Sequence, residues 1–272
     1  MNTLFRKSYP LIMGILNVTP DSFSDGGRFV QQDFAVNHVT GMIEEGADII
    51  DIGGESTRPG AAMVSIDEEC ERVIPIIRSI RQISDVPISI DTSKPEVMRE
   101  AITAGASMIN DVNALRGDGA LETAAKLEVP VCIMHMQGEP RTMQHKPEYE
   151  NVVADIKEFL NYRIDQCVEA GIKRDNIIID PGFGFGKNLD HNLSLFKHLE
   201  EFKELNAPLL VGVSRKSMIG AVLDDAPVEE RLHGSVALAT LATWMNAHIL
   251  RVHDVKATAD ALKLCKAVKE AQ

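Results

Sequence analysis

Eight short apolar runs recur along the chain at near-regular intervals, and nearly every one ends in a polar, charged or glycine-rich turn. They are Leu11 to Leu16 before Asn17, Ile49 to Ile52 before Gly53, Ile88 to Ile90 before Asp91, and Met108-Ile109 before Asn110. The second half continues with Val131 to Met134 before His135, Ile177 to Ile179 before Asp180, Leu209 to Val213 before Ser214, and Ile249-Leu250 before Arg251. Parallel strands are buried on both faces and read as continuous apolar stretches, so short runs separated by helix-length amphipathic segments point to βα units. Eight such units match an α/β fold of the (β/α)8 TIM-barrel type, in which chemistry sits at the carboxyl ends of the strands. The residue that ends each run is therefore a candidate site residue. The other arrangement open to these units is a doubly wound sheet, which needs a crevice at a switch in strand order.

The 272 residues, 44% of them hydrophobic, suffice for a barrel interior plus a helical layer, and the chain reads as a single domain over residues 1–272. A formal charge of −12 argues against nucleic acid or a membrane surface as partner, since both need an excess of Lys and Arg. Any anion must be held by a local cationic cluster. Cys70, Cys132, Cys167 and Cys265 fall in three predicted helices and one strand without CxxC spacing, which predicts free thiols in a reducing compartment. No apolar stretch can span a bilayer and no signal-peptide core precedes the first run, so a cytoplasmic protein is expected.

The segments between runs carry helical spacing, as in Val36, Val39 and Ile43 or Ile156, Phe159, Leu160, Ile164 and Cys167. Gly46, Gly105 and Gly171 each stand just past a helix and before a strand, where a left-handed residue turns the chain. Thr19 to Gly27, Glu55 to Ser65 and Gly138 to Pro147 read as loops over the strand ends. Helices are predicted over Asn188 to Leu205, over Val228 to Ala247, and from Val255 to about Ala271, the last packing Ala259, Leu262, Cys265 and Val268 inward.

Asp91, Asn110 and Asp180 end the third, fourth and sixth runs, so a barrel aims all three into one mouth. Asp accepts paired N–H donors and Asn offers both donor and acceptor, a set suited to a fused heterocycle with an amino-amidine edge. Capping of the next helix or turn is the alternative for each, as it is for Asp111. Pro181-Gly-Phe-Gly-Phe-Gly-Lys187 lacks P-loop spacing and has Asn188 where Ser or Thr is needed. Its glycines instead let backbone approach a flat ligand with Phe185 against it, while Phe183 reads as core. Ser214-Arg-Lys-Ser217 and, after the eighth run, Arg251 and His253 form the cationic cluster expected after strands seven and eight, with Asn17 and Arg58 in reach of the same anion. Arg215 reads as a solvated charge and Lys216 as a buried one. His135 reads as a structural histidine.

Met13-Gly-Ile-Leu-Asn-Val-Thr-Pro-Asp-Ser-Phe-Ser-Asp-Gly-Gly27, Asp51-Ile-Gly-Gly-Glu-Ser-Thr-Arg-Pro-Gly60, Ile90-Asp-Thr-Ser-Lys-Pro95, Asp180-Pro-Gly-Phe-Gly-Phe-Gly-Lys187, Ser214-Arg-Lys-Ser217 and Arg251-Val-His-Asp254 together resemble the dihydropteroate synthase family of pterin-binding barrels. The resemblance covers nearly the whole chain. It implies condensation of 6-hydroxymethyl-7,8-dihydropterin diphosphate with p-aminobenzoate, with Asp91, Lys216, Arg251 and His253 as the catalytic set. It further implies that Asp91, Asn110, Asp180 and Lys216 hold the pterin edge, with Phe185 and Arg251 against its faces and Met134 beneath. Asn17, Arg58, Arg251 and His253 would bind diphosphate, Asn17 would ligate Mg2+, and Phe23, Thr57, Pro59, Lys216 and Ser217 would form the p-aminobenzoate pocket. A homodimer through the last helices is implied as well. Pterin-dependent methyl transfer, a Schiff-base aldolase using Lys216 and a non-catalytic pterin-binding barrel are the competing readings.

Overall fold

The computed structural model describes residues 10–18, 28–56, 63–138, 143 and 146–271. Among them, helices alternate with eight parallel strands: β1 (Leu11–Asn17), α1 (Arg28–Glu45), β2 (Ile49–Gly53), α2 (Ile66–Ile83), β3 (Ile88–Asp91), α3 (Pro95–Ala104), β4 (Met108–Asp111), α4 (Ala120–Leu127) and β5 (Val131–Met134). There follow α5 (Val152–Glu169), β6 (Ile177–Asp180), α6 (Leu189–Lys197), β7 (Leu210–Val211), α7 (Ser217–Val222), α8 (Leu232–Trp244), β8 (Ile249–Val252) and α9 (Val255–Lys269). The strands run β6-β5-β4-β3-β2-β1-β8-β7, and an isolated parallel bridge between Ile179 and Leu209 brings the two ends together. The result is the closed barrel expected of eight βα units, with no reversal of strand order to make an open sheet.

Strand alternation sorts the side chains. Ile50, Ile52, Ile90, Ile109, Ile133, Ile179 and Leu250 belong to the main core, shared with buried helix residues such as Val39, Val73, Val97, Ile156 and Leu195. The intervening positions Leu11, Met13, Ile49, Met108, Cys132, Ile178, Leu210 and Ile249 form a separate buried cluster that plugs the barrel interior. Two residues further along the same faces stand Asp51, Asn110, Met134, Asp180 and Arg251, so an apolar floor carries a polar layer at the carboxyl ends.

Several elements differ from the sequence expectation. The polar residues Asn17, Gly53, Asp91, Asn110, Asp180 and Arg251 lie within strands and not after them, because neighbouring strands continue the ladder past the apolar run. β7 is reduced to two residues. The segment from Asn188 divides into α6, capped by the Asn188 side chain on the His191 amide (2.8 Å), and a 3₁₀ turn over Leu199–Leu205. The segment from Val228 similarly begins with a 3₁₀ turn before α8. On α9, Val268 is 64% exposed and faces away from the core, unlike Ala259, Leu262 and Cys265. Gly46, Gly105 and Gly171 adopt the left-handed turn at φ of 108°, 117° and 100°. The cysteines are all free.

Replacing floor residue Ile178 by Ala leaves a void that neighbouring strands cannot collapse into. We expect a loss of about 2–5 kcal/mol of unfolding free energy, read by urea denaturation.

Candidate active site

The polar layer is organised around Arg251. Its Nε donates to Asp51 Oδ2 at 2.6 Å and its terminal nitrogen to Asp91 Oδ2 at 2.8 Å, linking β8 to β2 and β3. Asn110 Nδ2 donates to the same Asp51 oxygen at 3.2 Å, and Asp51 Oδ1 is buried with no hydrogen-bond partner among the described residues. Strand register sets this geometry: Gly53 lies beside Asp91, Asp91 beside Asn110, and Met134 beside Asp180. Gly53 leaves open the space next to Asp91, since a Cβ there would stand 3.5 Å from the Asp91 Cβ.

Asp180 divides its two oxygens. Oδ1 accepts the Gly182 amide at 2.7 Å, which is local turn chemistry, while Oδ2 points toward the space left by Gly212 beside Arg251. Asp91 and Asn110 do not cap the following helices: neither α3 nor α4 has a side-chain cap at its start. Asp111 does cap a turn, accepting the amides of Asn113 (2.7 Å) and Leu115 (2.8 Å) and the Ser93 hydroxyl.

The turn after β6 is backbone packed on backbone. Gly182 and Gly186 have φ of 72° and 63°, and a Cβ on them would stand 1.9 Å from the His135 carbonyl oxygen and 2.5 Å from that of Gln137. This close approach brings Phe185 into a small cluster with Met134, Met136 and Met143. Lys216 Nζ lies 4.1 Å from the centre of the Phe185 ring. Phe183 is the core residue of the pair, buried against Phe196.

Arg215, 38% exposed at its side chain, is paired as well as solvated: its guanidinium forms a fork with Asp254, with Nε donating at 3.0 Å. The Ser214 hydroxyl meets His253 Nδ1 at 3.1 Å, so Nε2 is the nitrogen left for a ligand. Asn17 is exposed at the end of β1, and Ser217 is exposed at the start of α7. Phe23, Thr57, Arg58 and Pro59 lie outside the described residues, as does the whole loop of residues 19–27.

Burial dominates the electrostatics. It raises Asp91 to about 7, against the pull of Arg251, and Asp180 to about 6, against the Gly182 amide and Lys216. It lowers Lys216 to about 8, with Arg251 adding to the effect, and His253 to about 4, so His253 enters as a neutral imidazole. Burial also opposes the Arg251 charge, but Asp51 and Asp91 outweigh it and hold the guanidinium more firmly protonated than usual.

The model of the family described as "Pterin binding enzyme" matches residues 13–253. The dihydropteroate synthase of Haemophilus influenzae is 57% identical over 99% of this chain and 98% of its own. The chain belongs to the dihydropteroate synthase family. Among solved members, the Yersinia pestis dihydropteroate synthase in a sulfonamide drug complex superposes with TM-score 0.92 at 52% identity, covering 97% of this chain and 96% of the other. The Xanthomonas albilineans dihydropteroate synthase in complex with 7,8-dihydropteroate gives TM-score 0.90 at 47% identity, covering 100% and 97%.

Within this family member, the fold gathers Asp91, Asn110, Met134, Asp180, Phe185, Lys216 and Arg251 at one mouth. Three features escaped the sequence reading. Asp51, the common partner of Arg251 and Asn110, is recoverable from alternation alone, two places after Ile49. The contact of buried Lys187 with His135 (3.0 Å) and the linkage of Lys94 to Glu55 (2.6 Å) and buried Glu69 left no spacing signal.

Asp91 holds its proton more tightly folded than unfolded, where its value is about 3.9. It therefore favours the fold fully only below about pH 4, and that contribution is lost as pH rises toward about 7. Asp91→Asn cannot ionise and should gain stability relative to the parent across this window while losing turnover. Urea denaturation of both proteins at about pH 5 and about pH 7.5 measures the difference.

Proposed function

We infer that this protein condenses 6-hydroxymethyl-7,8-dihydropterin diphosphate with p-aminobenzoate, giving 7,8-dihydropteroate and diphosphate in folate synthesis. The observation that carries the reading is the polar layer over the apolar floor. Three short polar side chains, Asp91, Asn110 and Asp180, stand beside two partly buried cations, Arg251 and Lys216, on a chain whose relatives are dihydropteroate synthases. Asp180 Oδ2 and Asp91 suit the N–H donors of a pterin edge, Asn110 can answer both donor and acceptor, and Phe185 with Met134 supplies an apolar wall for the ring. Donors from the ligand would relieve the burial that now pushes both carboxylates upward.

The carbon–oxygen bond to diphosphate breaks, positive charge develops on the pterin methylene, and the aniline nitrogen attacks that carbon and releases a proton. No nucleophilic side chain is required; stabilisation of charge is. Asp91 is assigned the developing cation, and Asn17, Arg58, Arg251 and His253 the departing anion. A neutral His253 serves first as a donor and gains charge as the polyanion approaches. A Schiff-base role for Lys216 has no support in its placement, with the ammonium lying over the Phe185 ring.

Mg2+ fits this donor set. The described residues contain no group of three His, Cys, Asp or Glu able to hold a metal ion, and Asn17 offers one exposed oxygen donor. Mg2+ commonly takes one or two protein oxygens, with water and substrate phosphate completing its shell. Its contribution when bound is neutralisation of the leaving diphosphate. Phe23, Thr57, Pro59, Lys216 and Ser217 are assigned to the p-aminobenzoate pocket. A homodimer through α8 and α9 is supported by exposed Leu241, Trp244, Leu264 and Val268 on those helices. No helix among the described residues is long and apolar enough to cross a membrane, and a cytoplasmic location accords with the small-molecule substrates proposed.

Diphosphate release should require both substrates in a coupled assay; release independent of p-aminobenzoate would contradict the reading. Asp180→Asn presents an amide N–H to ligand donors, which typically costs ~1–3 kcal/mol. Calorimetry should then record pterin affinity falling about tenfold or more.

A further inference from the structure

Lys187 takes no part in the reaction as derived, yet it is 2% exposed and bonded to the backbone of Phe185. Its ammonium donates to the carbonyl oxygens of Gly182 (2.8 Å) and Phe185 (3.0 Å) and to His135 Nδ1 (3.0 Å), with the His135 carbonyl at 3.5 Å. Three N–H groups meet three close acceptors, and none of these acceptors is a carboxylate. Because Nδ1 accepts, His135 carries its proton on Nε2; burial and the adjacent Lys187 push this imidazole down to about 2. A buried cation held by neutral acceptors is costly to keep charged. Burial lowers Lys187 to about 7, opposed by the charge of Asp180 and assisted by that of Lys216.

The peptide groups that Lys187 gathers have functions of their own. Gly182 supplies the amide on Asp180 Oδ1, and Phe185 forms the apolar wall. The loop after β5 is bound to the same point, with the His135 imidazole 4.9 Å from the Phe159 ring and 6.0 Å from Tyr149, whose hydroxyl donates to Gly186 at 2.7 Å. The charged and titratable groups facing this arrangement are Asp180 from β6, Lys216 after β7, Arg251 from β8, Arg116 after β4, Tyr149 after β5 and His191 on α6; Lys216 and Arg251 act on Asp180 more strongly than Lys187 does.

The geometry points to Lys187, seated on His135, as a positioning residue for the pterin: it fixes the Gly182 and Phe185 peptides and sets a buried positive charge opposite Asp180. This rests on the reading that Asp180 and Phe185 hold a pterin. The burial of the charge then has a purpose, since the Lys187 ammonium favours the carboxylate form of Asp180 without touching the ligand.

Lys187→Met removes both charge and hydrogen bonds, while Lys187→Gln removes the charge and keeps two N–H donors on a shorter side chain. In both variants the KM for the pterin diphosphate should rise at least tenfold, while the KM for p-aminobenzoate at saturating pterin stays within twofold. The acid limb of kcat/KM for the pterin substrate should move to higher pH, because Asp180 loses a favourable neighbour. A purely structural lysine would lower the melting temperature and the active fraction but leave KM and the acid limb in place. Wild-type KM and pH limb in folded variants would overturn the positioning role, as would failure of both variants to fold, which assigns Lys187 to the fold alone. Calorimetric pterin affinity of the wild type and both variants separates the two readings. Pterin binding without turnover contradicts the proposed reaction and leaves the Lys187 comparison intact; no pterin binding by the wild type overturns both.

Discussion

The Arg251 guanidinium, shared between Asp51 and Asp91, is the interaction on which the mouth of the barrel depends. It joins β8, β2 and β3 by side chains, in addition to the ladder that pairs each strand with its neighbours. Asn110 is drawn in through the same Asp51 oxygen, so one cation fixes side chains on four strands. A bidentate fork can do this because its donors lie in one rigid plane; an ammonium on a flexible stem would not hold two carboxylates at a set angle. The arrangement gains little stability by itself, since desolvating three charges offsets most of their attraction. What it confers is orientation.

That orientation is bought against the fold. Burial raises Asp91 and Asp180, lowers Lys216 and His253, and leaves Asp51 Oδ1 without a partner among the described residues. Groups held so far from their ordinary charge states are the usual mark of a site shaped for a ligand. The apolar floor and the close-packed outer core make this tolerable, because they anchor each strand from below and from behind. The chemistry is confined to the carboxyl-terminal side of the barrel, where Asp91, Asn110 and Asp180 lie at strand ends and Phe185, Lys216 and His253 on the segments that follow them.

Much of this was legible in the chain. Apolar runs of fixed spacing gave the barrel, and the first polar residue after each run marked the layer where Asp91, Asn110, Asp180 and Arg251 stand. The reading faltered where a signal is not periodic. Asp51 sits inside an apolar run and so carries no strand-end signal, although counting by twos from Ile49 reaches it. Arg215 shows no partner in the sequence, because Asp254 is 39 residues distant and meets it only in the fold. Lys187 and His135 are 52 residues apart, brought together by glycines whose importance lies in what a side chain would strike. The ends of helices blurred for a simpler reason: 3₁₀ turns and α-helices share the same apolar spacing over a single turn.

The shortness of β7 has a consequence for how this barrel yields. Two paired residues on one side and a single bridge to Ile179 on the other make the junction between β6 and β7 its least reinforced seam. Parting the barrel wall breaks the fewest ladder hydrogen bonds there, so among the strand junctions this one opens most easily. Asp180 and the Phe185 turn lie on one lip of that seam and Lys216 on the other. The cation over the aromatic ring is therefore a clasp across a natural line of parting, and any ligand wedged between the two lips would act as a rivet for the entire cylinder.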